Sequence, residues 1–228
     1  MAPLAAVADN TRMLSGHGLT CVRGERPLFA GVDLAVAPGE WLHVRGANGS
    51  GKTSLLRLLA GLSPPDDGQV QWNGEPIAQT AAEFRRALLF LGHHAAIKEE
   101  LTGAENLQLA AQLDGGQMSR SDVDQALRRF GLKGREDLAV RFLSAGQKRR
   151  VLLARLMSRK AKLWVLDEPF TALDPRAVEM LGTLAAEHIA AGGMAVITSH
   201  QSVPIAGGKV LDLSSQAEPP AAPQASSR

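Results

Sequence analysis

The stretch "GANGSGKT", residues 46–53, constrains this chain more than any other. It fits G-x-x-x-x-G-K-[ST] and lies between the apolar run "WLHV" at 41–44 and the helix-forming "KTSLLRLLA" from residue 52. A strand that turns through glycines straight into a helix separates a phosphate-cradling loop from a chance Gly-rich turn. Gly46, Gly49 and Gly51 let the backbone curl so that its N–H groups converge, and the helix N-terminus adds positive potential. Lys52 is expected to reach the β- and γ-phosphates of a nucleotide, and Thr53 to hold Mg²⁺ through its hydroxyl. Asn48 and Ser50 of the same loop, and Ser54 just after it, are assigned with it to ATP binding.

The rest of the chain supplies a sheet for that loop. "ALLFLG" at 87–92, "LWVLD" at 163–167 and "MAVITSH" at 194–200 are continuous apolar runs ending on polar residues, the pattern of strands buried on both faces. Between them the pattern predicts helices over 52–60 and 175–191, the latter with Asp174 at the N-cap and Pro175 at the first helical position. Val32, Leu34 and Val36 alternate before "APGE" turns into "WLHV", so the first 45 residues read as short antiparallel strands. Asn73-Gly74 in "GQVQWNGEPI" marks a two-residue hairpin turn. Residues from about 93 to 145 leave this alternation and read as purely helical, with a Thr102/Glu105 capping box and Gly131 ending a helix that starts near Ser121. The predicted fold is α/β: a P-loop NTPase core with a parallel sheet, an N-terminal antiparallel β subdomain and an inserted helical subdomain, forming one domain over 1–216. The Pro-, Ala- and Ser-rich "AEPPAAPQASSR" at 217–228 has almost nothing to bury and reads as a disordered tail.

Composition excludes several classes. With 228 residues and 45% apolar content the chain can build a full core. No apolar run reaches the roughly 18 to 20 residues of a membrane span. The first residues lack an early basic cluster, and Asp9 and Arg12 break them, so no secretory signal is expected and the chain is placed on the cytoplasmic side. A single cysteine, Cys21, excludes an internal disulfide, argues against structural zinc, and reads as a small core residue. A net charge of +2 with dispersed basic residues does not suggest nucleic acid. Arg149 and Arg150 read as a solvated helix face.

Two further segments carry chemistry. "LWVLDE" brings Asp167 to the carboxyl edge of the sheet, where it can bind Mg²⁺ through water. Glu168 follows and is free to polarise a water for in-line attack on a γ-phosphate. In "LSAGQKRR" at 143–150, Ser144 and Gln147 form a capping-box pattern and Gly146 permits close approach, which makes a second anion-binding helix N-terminus. The P-loop already wraps one nucleotide, so the second site is idle unless it closes over the exposed side of a γ-phosphate. Two copies arranged head to tail, each covering the other's ATP, satisfy both sites.

In their order and spacing the P-loop, "LSAGQ", "WVLDEP", "ALD" at 172–174 and His200 in "TSH" resemble the ATPase subunits of ABC transporters, over residues 15–213. The resemblance implies an ATP-sandwich homodimer. Its signature residues Ser144, Ala145, Gly146 and Gln147 would face the opposing ATP, with Asp174 at the dimer seam and His200 sensing the γ-phosphate beside the catalytic Glu168. Two positions depart from the family. His93 stands where a Gln normally contacts Mg²⁺ and the membrane partner; a neutral imidazole can accept from a metal-bound water but protonates near neutral pH. Arg23 stands where an aromatic ring normally stacks on adenine, in a chain without tyrosine; a guanidinium plane can also stack on a base.

"LGHHAAIKEELTGAENL" at 91–107, "CVRGERPLF" and "LSAGQKRRVLLARL" resemble more narrowly the ATP-binding subunits of the cytochrome c maturation, or haem exporter, system, the CcmA family. In that family the ATPase is peripheral on the cytoplasmic face of the bacterial inner membrane. It pairs with the multispanning CcmB, with CcmC and CcmD, and ATP hydrolysis is tied to release of the haem-loaded chaperone CcmE. The resemblance therefore implies ATP and Mg²⁺ as ligands, these membrane partners and no nucleic acid. His93 and His94 are not expected to ligate haem, because they sit beside the nucleotide. The ATPase of an unrelated ABC exporter is the alternative within the same chemistry. A module that remodels nucleic acid or ribosomes is disfavoured, since neither a second cassette nor a long coiled-coil insertion is present.

Overall fold

The computed structural model of the protein describes residues 13–92 and 97–216. The disordered-tail, N-terminal-signal, His93 and His94 expectations fall outside them. Among the described residues nine strands and six α-helices follow in chain order: β1 Leu14–Arg23, β2 Arg26–Val36, β3 Trp41–Arg45, α1 Lys52–Leu59, β4 Asp67–Trp72, β5 Glu75–Pro76, α2 Ala81–Ala87, β6 Leu88–Leu91, α3 Gly103–Leu113, α4 Arg120–Arg129, α5 Ala145–Ala154, β7 Leu163–Leu166, α6 Pro175–Ala190, β8 Met194–Thr198 and β9 Lys209–Asp212.

Burial on both faces selects the central sheet. Its order is β6-β7-β8-β3-β9 and every pairing is parallel. Side chains alternate between two apolar clusters with the strand period of two. Trp164 and Leu166 of β7 and Ala195 and Ile197 of β8 join one cluster; their neighbours Leu163, Val165, Met194 and Val196 join the other. Leu107, Leu127, Leu152 and Leu181 from α3, α4, α5 and α6 close the first face. Leu55 and Leu59 of α1, Phe84 of α2, and Phe29 and Trp72 of the second sheet close the other. That second sheet, β2-β1-β4-β5, is antiparallel.

One expectation is corrected. The first 45 residues are not all antiparallel: β1 and β2 pair as read, but β3 lies in the parallel sheet between β8 and β9. The reason is in its composition. The first four residues of β3 are buried in succession, as a strand covered on both faces requires, whereas β2 alternates.

Local chemistry sets the element ends. Asn73 (φ 56) and Gly74 (φ 83) both adopt positive φ, so the β4–β5 hairpin turns as a type I′ loop does. Thr102 and Glu105 form the expected capping box on α3, Ser119 caps α4, and Gly131 follows the end of α4. The carboxyl ends of β3, β7 and β8 lie side by side, the edge where parallel α/β sheets place their ligands.

Candidate functional site

The loop after β3 is built for close backbone approach. Gly51 is the N-cap of α1 with φ 94, and no side chain caps that helix. A Cβ at Gly51 would stand 2.9 Å from Phe29 Cδ1 and 3.0 Å from Leu28 Cβ, so both the dihedral and the neighbouring strand demand glycine. Lys52 is only 8% exposed, and its ammonium donates to the carbonyls of Gly46 (2.8 Å) and Ala47 (3.1 Å).

Asp167, 2% exposed at the end of β7, is held at both oxygens. The Thr53 hydroxyl donates to Oδ2 at 2.9 Å and the Thr198 hydroxyl to Oδ1 at 2.8 Å. Thr198 in turn accepts the Glu168 backbone N–H at 2.8 Å. Glu168 takes a left-handed backbone conformation, φ 49, which non-glycine residues seldom adopt. Its Oε1 is buried, lies 3.3 Å from His200 Nε2 without hydrogen-bond geometry, and has no other partner among the described residues. Its Oε2 accepts from the Thr171 hydroxyl at 3.4 Å. Lys52, Thr53, Ser54, Asp167, Glu168 and His200 line one cavity of about 450 Å³, together with Asn48 and Gly49. A neighbouring cavity of about 520 Å³ carries Ser50 with Asn48 and Gly49.

The residues at 144–147 do not line that cavity. Ser144 and Gln147 form the capping box of α5: the Ser144 hydroxyl accepts the Gln147 N–H at 3.3 Å, and Gln147 Oε1 accepts the Ser144 N–H at 2.9 Å. Ser144 and Ala145 are exposed. Gly146 faces the loop after β7, where a Cβ would lie 3.7 Å from the Ala172 carbonyl. Asp174 caps α6 through the Ala177 N–H at 2.8 Å. Arg23 lines a separate pocket of about 190 Å³ with Cys21, Ser54 and Arg57. Cys21 is buried there, and burial pushes its thiol pKa up, in keeping with a core residue.

The profile of the ABC transporter family matches residues 29–171. The chain belongs to the ABC transporter family. Its relatives within that family include cytochrome c biogenesis ATP-binding export proteins CcmA. The one from Dechloromonas aromatica is 53% identical over 201 residues, covering 88% of this chain and 98% of the relative. The one from Nitrosomonas europaea is 48% identical over 191 residues, covering 84% and 90%. Among solved structures, an ATP-binding subunit of an ABC transporter superposes with TM-score 0.72 at 28% identity, over 82% of this chain and 80% of that one. The dimeric ATP-binding cassette MJ0796, bound to ADP and Pi, shares the fold, with TM-score 0.76 at 23% identity over 87% and 93%. The chain is thus an ABC-type ATPase of the CcmA family.

The ABC ATPase core also holds residues that sequence reasoning missed or misplaced. Arg149 and Arg150 are not a solvated face. Arg149 Nη2 donates to the Glu168 carbonyl at 2.6 Å, and burial lowers its pKa against the pull of Asp167 and Glu168. Arg150 pairs with Asp174 Oδ2. Arg149 and Arg150 of α5 reach the loop at 168–174, which partly withdraws them from water. Thr198, with no exposed surface, was overlooked; a hydroxyl closing the otherwise apolar run "MAVIT" was the available signal. His43, 2% exposed in β3, was also overlooked. Arg45 Nε donates to its Nδ1 at 3.2 Å, which leaves Nε2–H to donate to the Ser199 carbonyl at 3.2 Å.

Proposed function

We propose that this ABC ATPase drives a membrane complex for c-type cytochrome biogenesis, as a homodimer that closes on two ATP molecules. One observation carries the reading. Lys52, Thr53, Asp167, Glu168 and His200 share a cavity of about 450 Å³, while the capping box at Ser144 stays exposed outside it. A second copy that presents its Ser144–Gln147 end to this cavity completes the site.

Gly46, Asn48, Gly49, Ser50, Gly51 and Ser54 cradle the phosphates, and the Lys52 ammonium exchanges its two carbonyl partners for the β- and γ-phosphates. A hydroxyl beside a buried carboxylate, Thr53 with Asp167, fits Mg²⁺, which takes few protein ligands and completes its shell with phosphate and water oxygens. Among the described residues no group of three or more His, Cys, Asp or Glu competes for such an ion. When bound, the metal neutralises charge on the transferring phosphoryl group. Glu168 polarises the attacking water through Oε1, which accepts no hydrogen bond among the described residues: the water oxygen bonds to the γ-phosphorus, the bond to ADP breaks, and the water proton moves toward the carboxylate. His200, exposed on the rim, contacts the γ-phosphate. His93 contributes to the metal site, Arg23 stacks on adenine, and Asp174 lies at the dimer seam.

Its partners on this reading are CcmB, CcmC and CcmD in the membrane and the haem chaperone CcmE, with the chain peripheral on the cytoplasmic face; the relatives named as cytochrome c biogenesis ATP-binding export proteins support its place in that system. Among the described residues no helix is long and apolar enough to cross a membrane, which is consistent with a peripheral subunit. The test is affinity capture from gently solubilised host membranes, with mass spectrometry and a haem absorbance spectrum. Recovery of the cytochrome c maturation subunits, with a haem-bearing chaperone released by Mg-ATP, is expected. Capture of an unrelated permease without haem would reassign the complex to ordinary export and leave the ATPase reading intact.

A further inference from the structure

We infer that Arg149 is a positioning residue that ties the signature helix of each subunit to that subunit's own catalytic Glu168. Three contacts join α5 to the loop at 168–174. Arg149 Nη2 donates to the Glu168 carbonyl at 2.6 Å, Arg150 pairs with Asp174, and Gly146 lies against the Ala172 carbonyl. The loop carries two left-handed non-glycine residues. Among the described residues, Glu168 (φ 49) and Ala172 (φ 62) are two of the three non-glycine residues with positive φ, and the third is the hairpin residue Asn73. Such conformations persist only where the surroundings hold them.

Arg149 is well placed to do so. Its guanidinium is always charged, and it is partly withdrawn from water to reach a backbone carbonyl rather than a carboxylate. Its Nε is buried without a partner among the described residues. That cost is unexplained by a surface ion pair. It is explained if the guanidinium fixes the Glu168 peptide from one side, while the Thr198 hydroxyl fixes its N–H from the other. Glu168 is then clamped between β8 and α5, and its orientation depends on where α5 sits.

This inference rests on the sandwich reading. In the sandwich the N-terminal end of α5 meets the partner's ATP, and Arg149 follows about one turn later on the same rigid helix. Seating α5 on the partner's nucleotide therefore sets the backbone of this subunit's own Glu168, and each site becomes competent only when the opposite site is filled.

The experiment measures ATP hydrolysis by the membrane complex carrying Arg149→Gln, Arg149→Met or Arg149→Lys, with nucleotide affinity titrated separately. Gln and Met should keep the ATP Kd within about twofold, yet lower kcat by roughly tenfold or more and bring the Hill coefficient toward one. Lys, which keeps a charged donor, should fall between. Wild-type kcat and cooperativity in the Gln and Met variants would overturn the inference. So would a matched loss of ATP affinity, melting temperature and kcat in all three variants, the signature of a merely structural residue. If Gln and Met fail to fold, Lys carries the test alone: a kcat loss at unchanged Kd supports the clamp, and unchanged kcat refutes it. The sandwich itself is read in a Glu168→Gln background. If that variant stays monomeric in saturating Mg-ATP, the sandwich fails; if it dimerises while the Arg149 variants cycle normally, only the Arg149 inference fails.

Discussion

Two helix N-termini in this protein solve the same problem differently. Every helix begins with up to four backbone N–H groups that lack an intrahelical partner. Helix α1 leaves them uncapped by any side chain, starts at a left-handed glycine, and directs them with a nearly buried Lys52 into a walled cavity. Helix α5 satisfies its own start through Ser144 and Gln147 and stands in the open. On the proposed function the first end is organised around a nucleotide that its own chain would hold. The second is stable without one and can serve a ligand delivered by another copy. The difference predicts that damage at α1 lowers affinity, whereas damage at α5 lowers turnover.

The largest expected effect separates the two ends completely. Glu168→Gln removes the proton acceptor and leaves both helix starts intact. Turnover should fall by about 10²- to 10⁴-fold, the usual worth of a general base, while ATP binding survives. The variant should accumulate as an ATP-bound dimer in size-exclusion chromatography. Lys52→Ala strikes α1 alone. Hydrogen bonds to a charged group contribute about 1.5 to 3 kcal/mol, so ATP affinity measured by calorimetry should weaken by roughly 10- to 150-fold. Ser144→Ala strikes α5 alone. Loss of the cap should cost about 1 kcal/mol of folding stability in a denaturant titration. ATP affinity of the single subunit should stay unchanged while turnover drops. A Ser144 variant that binds ATP poorly as a monomer would erase the distinction between the two ends.

The two ends were also unequally legible. Eight contiguous residues encode the P-loop, so its spacing singles out Lys52 and Thr53; the Thr53 hydroxyl meets Asp167, and Lys52 lines the same cavity. The capping box on α5 was equally local. What the sequence hid was contact across distance. Arg149 and Arg150 form part of a basic run that suits a wet helix face, and only the tertiary fold lays that face on the loop after β7. Thr198 is separated from Asp167 by 31 positions, and pattern reading assigns a hydroxyl at a strand end no partner. The parallel placement of β3 was obscured twice: its closeness to the β1–β2 hairpin suggested a third antiparallel strand, and His43 interrupts the apolar run that would signal burial on both faces. His93 lies outside the described residues, so its expected metal contact is carried only by the functional proposal.

The smallest effect sharpens the comparison through pH. The sheet beneath α1 contains a titratable group, His43, whose ring joins Arg45 to the Ser199 carbonyl just before His200; the α5 capping box contains none. Burial lowers the pKa of His43, and that of His188 against Trp164, below the ordinary histidine value. An unfolded histidine takes up its proton near pH 6.5. Below that pH the unfolded chain therefore binds more protons than the folded one, and stability falls as pH falls. Between about pH 7 and 5.5 each such histidine can contribute a slope of at most about 1.4 kcal/mol per pH unit. His43→Gln keeps a donor for Ser199 and an acceptor for Arg45 but cannot ionise, so its melting temperature should vary less with pH across this range than that of the wild type. In the Glu168→Gln background, acid should also loosen ATP binding at the α1 end before it affects α5, because protonating His43 breaks the Arg45 contact beside the P-loop. If the acid slope of melting temperature is the same with and without His43, the histidine is not the group that titrates.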